Sequence, residues 1–203
     1  MYPDLNLPFI FIIAVASLAY LLGSIPFGMV ITKFMGLGDL RKIGSGNIGA
    51  TNVLRTGSKL AAFLTVVFDG GKGLVAVLFA GIILGYTAAL IAGVFAFLGH
   101  LYPIWLKFKG GKGVAVFLGI LLAVNFWAGL ATCMTWLATA IIVRISSASA
   151  LVSSALAPIW LYLIGSGSAA LMATILAVLI WVKHMENIKR ILKGTEPKIG
   201  KRG

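Results

Sequence analysis

Long apolar runs alternate with short polar or basic turns along this chain, and most runs exceed the length of a strand. The first runs from about residue 5 to 31. It ends in Gly23-Ser24-Ile25-Pro26-Phe27-Gly28, which predicts a kinked or loosened helix end. A polar stretch, residues 32–59, follows. Residues 60–68 are apolar, but nine helical residues rise only about 14 Å, against roughly 30 Å of hydrocarbon. Residues 49–68 are therefore expected to form a helix at, or dipping into, the interface. Further runs cover residues 74–84, 87–105, a stretch ending at 124, then 126–143, 150–164 and 169–193. Their uninterrupted apolar character predicts helices, so the pattern gives an all-α integral membrane protein of about seven transmembrane helices. All 203 residues belong to one expected domain.

Composition strengthens this picture. The chain is 60% hydrophobic with mean hydropathy +1.05, and only 11% of its residues are charged. A soluble domain of this size needs far more polar surface. The net charge of +12 comes from 17 Lys and Arg against 5 Asp and Glu. In a membrane protein such an excess marks cytoplasmic loops and anionic lipid, not nucleic acid. Lys33, Arg41, Lys42, Arg55 and Lys59 stand against the single acid Asp39 in the first loop. That loop is expected inside, which puts the N-terminus outside and, after an odd number of spans, the basic C-terminal tail in the cytoplasm. The start, Met1 to Asn6, lacks a basic region, so the first run reads as a span rather than a cleaved signal. Cys133 stands alone, which excludes an intrachain disulfide and a cysteine metal cluster.

One phrase occurs twice, 40 residues apart: Phe68-Asp69-Gly70-Gly71-Lys72-Gly73 and Phe108-Lys109-Gly110-Gly111-Lys112-Gly113. Close glycines allow backbone N–H groups to face a ligand, and a helix N-terminus adds more N–H groups and its dipole. Gly110, Gly111, Lys112 and Gly113 thus read as an anion site, with Lys72 as its counterpart in the first copy. A pair of charged membrane-flank turns is the plainer reading. Each copy is expected to open a short span, with both helices parallel and recessed below the cytoplasmic surface. The spacing is not that of a Walker loop.

The first loop packs Ser45, Asn47, Thr51, Asn52 and Arg55 into eleven positions. A capped turn explains one or two of these. Thr51 and Arg55, four apart, share a helix face that can present a hydroxyl and a guanidinium to one phosphate. Asp69 is expected to orient Lys72 or the loop; His100 reads either as a functional group or as an interfacial anchor beside Tyr102. In the last helix His184 and Asn187 share a face, and Glu186 and Arg190 are spaced to pair. From residue 169 the helix rises about 23 Å by His184, level with the recessed glycine loops. A snorkelling basic helix end accounts for the lysines and arginines there but not for His184 and Asn187. No H-E-x-x-H, no G-x-S-x-G elbow and no H-x-x-x-x-D box is present; Trp105 and Lys189 stand five past the two histidines.

Together these residues resemble the bacterial PlsY family, glycerol-3-phosphate acyltransferases that use acyl phosphate rather than acyl-CoA. The resemblance lies in Ser45 to Asn52 with Arg55, in Phe108 to Ala115, and in Lys183-His184 through Asn187 and Arg190 to Glu196. It extends over nearly the whole chain. It implies Ser45 and Arg55 as essential, the second glycine loop as the acyl-phosphate site, and His184, Asn187 and Glu196 in substrate binding or catalysis. It implies a multi-pass protein of the bacterial inner membrane that makes lysophosphatidic acid, the first step of phospholipid synthesis. Two phosphate-bearing substrates and a lipid tail fit the two cationic clusters and the membrane setting. An acyl phosphate is already activated, so positioning and charge stabilisation suffice, and no cofactor or metal is expected. The expected state is a monomer. Ser45 as an acylated nucleophile, His184 as base and the donor's own phosphate as proton acceptor all stay open. A transporter for a phosphorylated solute is the rival; it would place polar groups near the midplane, whereas here they collect on one side.

Overall fold

A computed structural model describes residues 7–164 and 166–200. Ten α-helices lie among them, and no strand. The start of the first expected span, Gly165 in the last outer turn and the final basic residues lie outside the described residues.

Helices α1 (Phe9–Gly23) and α2 (Phe27–Phe34) form the first apolar segment. They separate at Pro26, as the sequence predicts. The polar loop that follows carries a short α3 (Ala50–Val53). Then α4 (Lys59–Leu84) runs for 26 residues without a break. This overturns the expectation of an interfacial helix followed by a glycine turn. Gly70-Gly71-Lys72-Gly73 lies in mid-helix, and about 39 Å of helix is long enough to cross a bilayer. α5 (Tyr86–Leu101) returns, and α6 (Val114–Val124) is short, at 11 residues. α7 (Phe126–Val143), α8 (Ser146–Leu163) and α9 (Gly167–Lys183) follow. α10 (Met185–Leu192) leaves the axis of α9 at an angle of 62°. Among the described residues five segments are long and apolar enough to cross a membrane, a sixth if α9 and α10 count as one, and α6 is a shorter apolar helix. The protein is an all-helical, multi-pass membrane protein.

Packing follows small residues. α1 lies on α5, α5 on α4, α4 on α6, and α7 to α9 complete the bundle. A Cβ at Gly23 would sit 2.0 Å from Ala96 O, and one at Gly99 would sit 2.2 Å from Tyr20 O. Only glycine permits that approach, and in lipid close van der Waals packing replaces hydrophobic burial as the adhesive. Gly119 of α6 is likewise 2.0 Å, Cβ to oxygen, from Gly70 of α4. Gly70 and Gly73 of the first Gly-Gly-Lys-Gly therefore seat α4 against α6. Phe97, Phe117, Ile120, Leu176 and Ile180 fill the centre between α5, α6 and α9. Large apolar side chains such as Phe79, Ile82 and Ile142 face outward, as lipid contact requires.

Candidate active site

One cavity of about 780 Å³ opens among the first polar loop, the start of α6, the start of α8 and the α9–α10 bend. Ser45, Asn47, Thr51, Asn52, Arg55, Lys112, Gly113, His184, Asn187 and Glu196 line it. Segments far apart in sequence thus meet in one place.

The first loop is held by Asn52. Its buried amide donates to Leu40 O (2.9 Å) and Asn47 O (2.8 Å), and its Oδ1 accepts from Ser45 N–H (3.2 Å). Asn52 spends its hydrogen bonds on the fold of the loop, which differs from a direct substrate role. Gly44 has φ +54°, and a Cβ there would lie 2.4 Å from Arg55 Nη1. The guanidinium therefore crosses the loop closely. The α3 N-cap is Gly49, without a side-chain cap, so neither Ser45 nor Asn47 caps the helix. Thr51 Oγ1 lies 3.1 Å from Ser146 Oγ rather than on Arg55.

The second glycine phrase is a loop, and its cause is local. Pro103 precedes it, and Lys107 and Phe108 have φ of 51° and 61°, so no helix reaches it from the N-terminal side. Its amides divide the work. Gly110 N–H donates to Leu101 O (3.2 Å) and Gly111 N–H to His100 O (3.1 Å), tying the loop to the end of α5. This corrects the expectation that all three glycine amides face a ligand. Gly113, Val114 and Ala115 line the cavity at the start of α6, where a helix leaves its first N–H groups without helical partners. Gly110 and Gly111 do not line the cavity and pack against the end of α5. Lys112 donates to Asn187 Oδ1. Burial pushes the Lys112 amine below the ordinary lysine range, and Glu196 opposes that shift.

The C-terminal segment closes the site. His184 occupies the α9–α10 bend, and its Nδ1 lies 2.8 Å from Ile180 O. A carbonyl only accepts, so Nδ1 carries the hydrogen and Nε2 keeps its lone pair. Glu196 is the hub. Its Oε1 accepts from Ser147 Oγ (2.7 Å) and Asn187 Nδ2 (2.5 Å), and its Oε2 from Arg190 Nε (2.6 Å). Burial raises the Glu196 pKa, but these hydrogen bonds outweigh it and hold the carboxyl below its ordinary range. Ile199 N–H donates to Arg144 O, which folds the tail across the site. Glu186 pairs with Lys189 (2.8 Å), not with Arg190 as its spacing suggests.

Like Gly110 and Gly111, Lys72 is an expected substrate contact that the geometry places outside the cavity lining. It is buried in α4, ion-paired with Asp69 at 2.8 Å, and does not line the cavity. Asp69 does orient Lys72. His100 is 4% exposed, so it is not an interfacial anchor. Sequence reasoning missed Ser146 and Ser147, the hydroxyls at the start of α8, and Trp136 on α7. The serines look like ordinary loop residues, and their only signal is their place just past Arg144 at a loop that faces the polar side. With Val66, Leu118 and Trp136, the cavity also has an apolar wall. The arrangement suits an anion beside an apolar chain. Arg55, Lys112, Lys183 and Arg190 line the cavity with Glu196, while Asp69 and Glu186 are neutralised by Lys72 and Lys189.

The glycerol-3-phosphate acyltransferase family model matches residues 13–194. A glycerol-3-phosphate acyltransferase of Cereibacter sphaeroides (strain ATCC 17025 / ATH 2.4.3) is 59% identical over 191 residues, 94% of this chain and 91% of the relative. One from Ruegeria sp. (strain TM1040) is 54% identical over 202 residues, 100% of each chain. The crystal structure of PlsY (YgiH), an integral membrane glycerol 3-phosphate acyltransferase, in its glycerol 3-phosphate form superposes with TM-score 0.89 at 38% identity. That match covers 93% of this chain and 96% of that one. The same protein in its lysophosphatidic acid form gives 0.87 at 37% identity, covering 93% and 95%. This chain belongs to the glycerol-3-phosphate acyltransferase family and is an acyltransferase.

Proposed function

We propose that this enzyme transfers a fatty acyl group from acyl phosphate to the 1-hydroxyl of glycerol 3-phosphate, giving lysophosphatidic acid and phosphate. The observation that carries the reading is the meeting of Arg55, Lys112, the α6 N-terminus and His184–Asn187 in one cavity with an apolar wall. Both substrates carry phosphate, and the acyl chain needs the apolar side. Gly113, the α6 amides and Lys112 hold the acyl phosphate, with Gly110 and Gly111 shaping that loop. Ser45, Asn47, Thr51 and Arg55 hold the second phosphate group, with Asn52 fixing their loop. His184 and Asn187 position the glycerol hydroxyl, and Glu196 holds Asn187.

The hydroxyl oxygen attacks the acyl carbonyl carbon, the carbon–oxygen bond to phosphate breaks, and the hydroxyl proton leaves with the phosphate or passes to His184 Nε2. That nitrogen keeps a lone pair while Nδ1–H is spent on Ile180 O. Among the described residues no histidine pairs with Ser45; its backbone N–H bonds Asn52. Direct attack therefore fits better than an acyl-serine. An activated donor lets the site work by position and charge.

The orientation follows the charge asymmetry. Seven spans in a single domain of the bacterial inner membrane, N-terminus outside and C-terminus inside, put the cavity at the cytoplasmic side. A monomer contains every residue named, and membrane lipid is the surrounding partner. A phosphate transporter would place its polar groups near the midplane; the cavity gathers them from the first loop, the start of α6, the start of α8 and the α9–α10 bend. The test is to mix purified protein with glycerol 3-phosphate and either palmitoyl phosphate or palmitoyl-CoA. Lysophosphatidic acid formed from palmitoyl phosphate alone is expected. Product from palmitoyl-CoA alone overturns the donor assignment, and uptake into vesicles without product overturns acyl transfer.

A further inference from the structure

Asp69, Lys72 and His100 are buried, ionisable, and unused by the reaction as drawn above. Asp69 and Lys72 stand one turn apart in the middle of helix α4, and His100 stands in the last turn of α5. Ionisable groups buried in apolar membrane helices are costly and rare, and they point to function by default. Lys72 Nζ has three neighbours: Asp69 Oδ1 at 2.8 Å, Ile25 O at 2.7 Å and His100 Nδ1 at 3.0 Å. Ile25 O and the ring nitrogen are at hydrogen-bond geometry, while Asp69 Oδ1 sits at ion-pair distance without a hydrogen bond; an ammonium has donors and no acceptor, so His100 Nδ1 is the acceptor. Asp69 Oδ1 is 3.6 Å from Nδ1, too long for a hydrogen bond that would place a proton there. A neutral imidazole with its lone pair on Nδ1 carries its hydrogen on Nε2.

That hydrogen has a definite neighbourhood. A Cβ at Gly111 would lie 2.2 Å from His100 Nε2, so glycine is what leaves the nitrogen room. His100 O also accepts Gly111 N–H at 3.1 Å, which registers the ring against the loop. His100 and Asp69 both line the cavity. We propose that His100 Nε2–H is a hydrogen-bond donor to the acyl-phosphate anion, with Lys72 and Asp69 as the residues that fix its tautomer and direction. This rests on the reading of the second glycine loop as the donor site. The two histidines then face the same cavity in opposite tautomers. His184 presents a lone pair to the glycerol hydroxyl, and His100 presents a hydrogen to phosphate.

The test uses the full chain and both substrates. His100→Asn keeps an acceptor near Nδ1 for Lys72 but loses the donor, whereas His100→Gln can place its amide nitrogen near Nε2. His100→Asn is expected to raise the palmitoyl phosphate KM by about tenfold to hundredfold and to leave the glycerol 3-phosphate KM unchanged. His100→Gln is expected to raise it much less. Equal effects, or a larger effect for Gln, overturn the proposal, because a histidine that only caps Lys72 is better replaced by Asn. Should the variants not fold, nitrogen NMR of the histidine-labelled wild type decides. The chain has 2 histidines, and one Nε2–H and one Nδ1–H tautomer are expected; two of the same kind overturn it. Lys112→Ala separates the underlying reading. If it raises the glycerol 3-phosphate KM and not that of palmitoyl phosphate, the donor-site assignment falls, whatever the tautomers. If it raises the palmitoyl phosphate KM while His100→Asn does not, only the role of His100 falls.

Discussion

The two Gly-Gly-Lys-Gly copies share their wording and almost nothing else. The first lies inside a 26-residue helix, and the second is a loop before an 11-residue one. In the first, Asp69 and Lys72 pair at i, i+3, and Gly70 and Gly73 are shaped for contact with α6. In the second, Lys109 replaces the acid, Pro103 blocks a preceding helix, and His100 and Phe97 crowd the glycines from α5. Glycine permits many backbones and selects none. The flanking chain and the neighbour that comes close decide whether it serves packing or ligand access. One copy is a helix-packing surface with a buried ion pair; the other is the proposed anion loop.

The comparison can be broken at several points. Lys72→Ala carries the largest expected effect, because it leaves Asp69 buried without its partner. Loss of one member of a buried pair costs about 3–5 kcal/mol, to be read as thermal unfolding in detergent; an unchanged transition would contradict the ion-pair role. Gly119→Ala comes next. Its methyl would meet Gly70 O at 2.0 Å, so α4 and α6 must part, and overpacking of this kind costs about 1–3 kcal/mol. Thermal stability equal to wild type would mean that the helices do not touch there.

Glu196 tests the second copy through Lys112 and Asn187. Its hydrogen bonds hold its pKa below the ordinary 4.5, so its contribution is complete above that value. It is lost as pH falls through the lower folded value. Wild-type thermal stability should therefore fall below about pH 4.5 more steeply than that of Glu196→Gln. Parallel acid profiles would remove Glu196 from the hub. Gly71→Ala should give the smallest change. A Cβ there meets nothing within 4 Å, and alanine in a helix interior is better than glycine by about 0.5–1 kcal/mol. A small rise in melting temperature is expected, and a loss would show that Gly71 sits in a turn.

The apolar runs made the helices and the break at Pro26 legible, because membrane spans depend on length and hydropathy alone. The polar clusters made most of the cavity legible, since Ser45, Arg55, Lys112, His184, Asn187 and Glu196 all line it. What failed was the first glycine phrase. Local rules read Gly-Gly as a break, but contact with α6 overrides them, and no local signal reveals a partner helix. Asn52 lines the cavity, but its hydrogen bonds to the loop were not legible. A carboxamide in a polar loop looks the same whether it binds substrate or holds Leu40 O and Asn47 O. Ser146 and Ser147 were hidden because only the fold brings α8 beside a loop almost 100 residues earlier.

The most direct measurement compares Gly111→Ala with Gly71→Ala, the same change at matching positions of the two copies. Palmitoyl phosphate KM and glycerol 3-phosphate KM are measured for each purified protein. The Gly111→Ala methyl would lie 2.2 Å from His100 Nε2, so its palmitoyl phosphate KM should rise about tenfold or more while Gly71→Ala matches wild type. Equal palmitoyl phosphate KM values for the two variants would contradict the assignment of the second copy as the acyl-phosphate site.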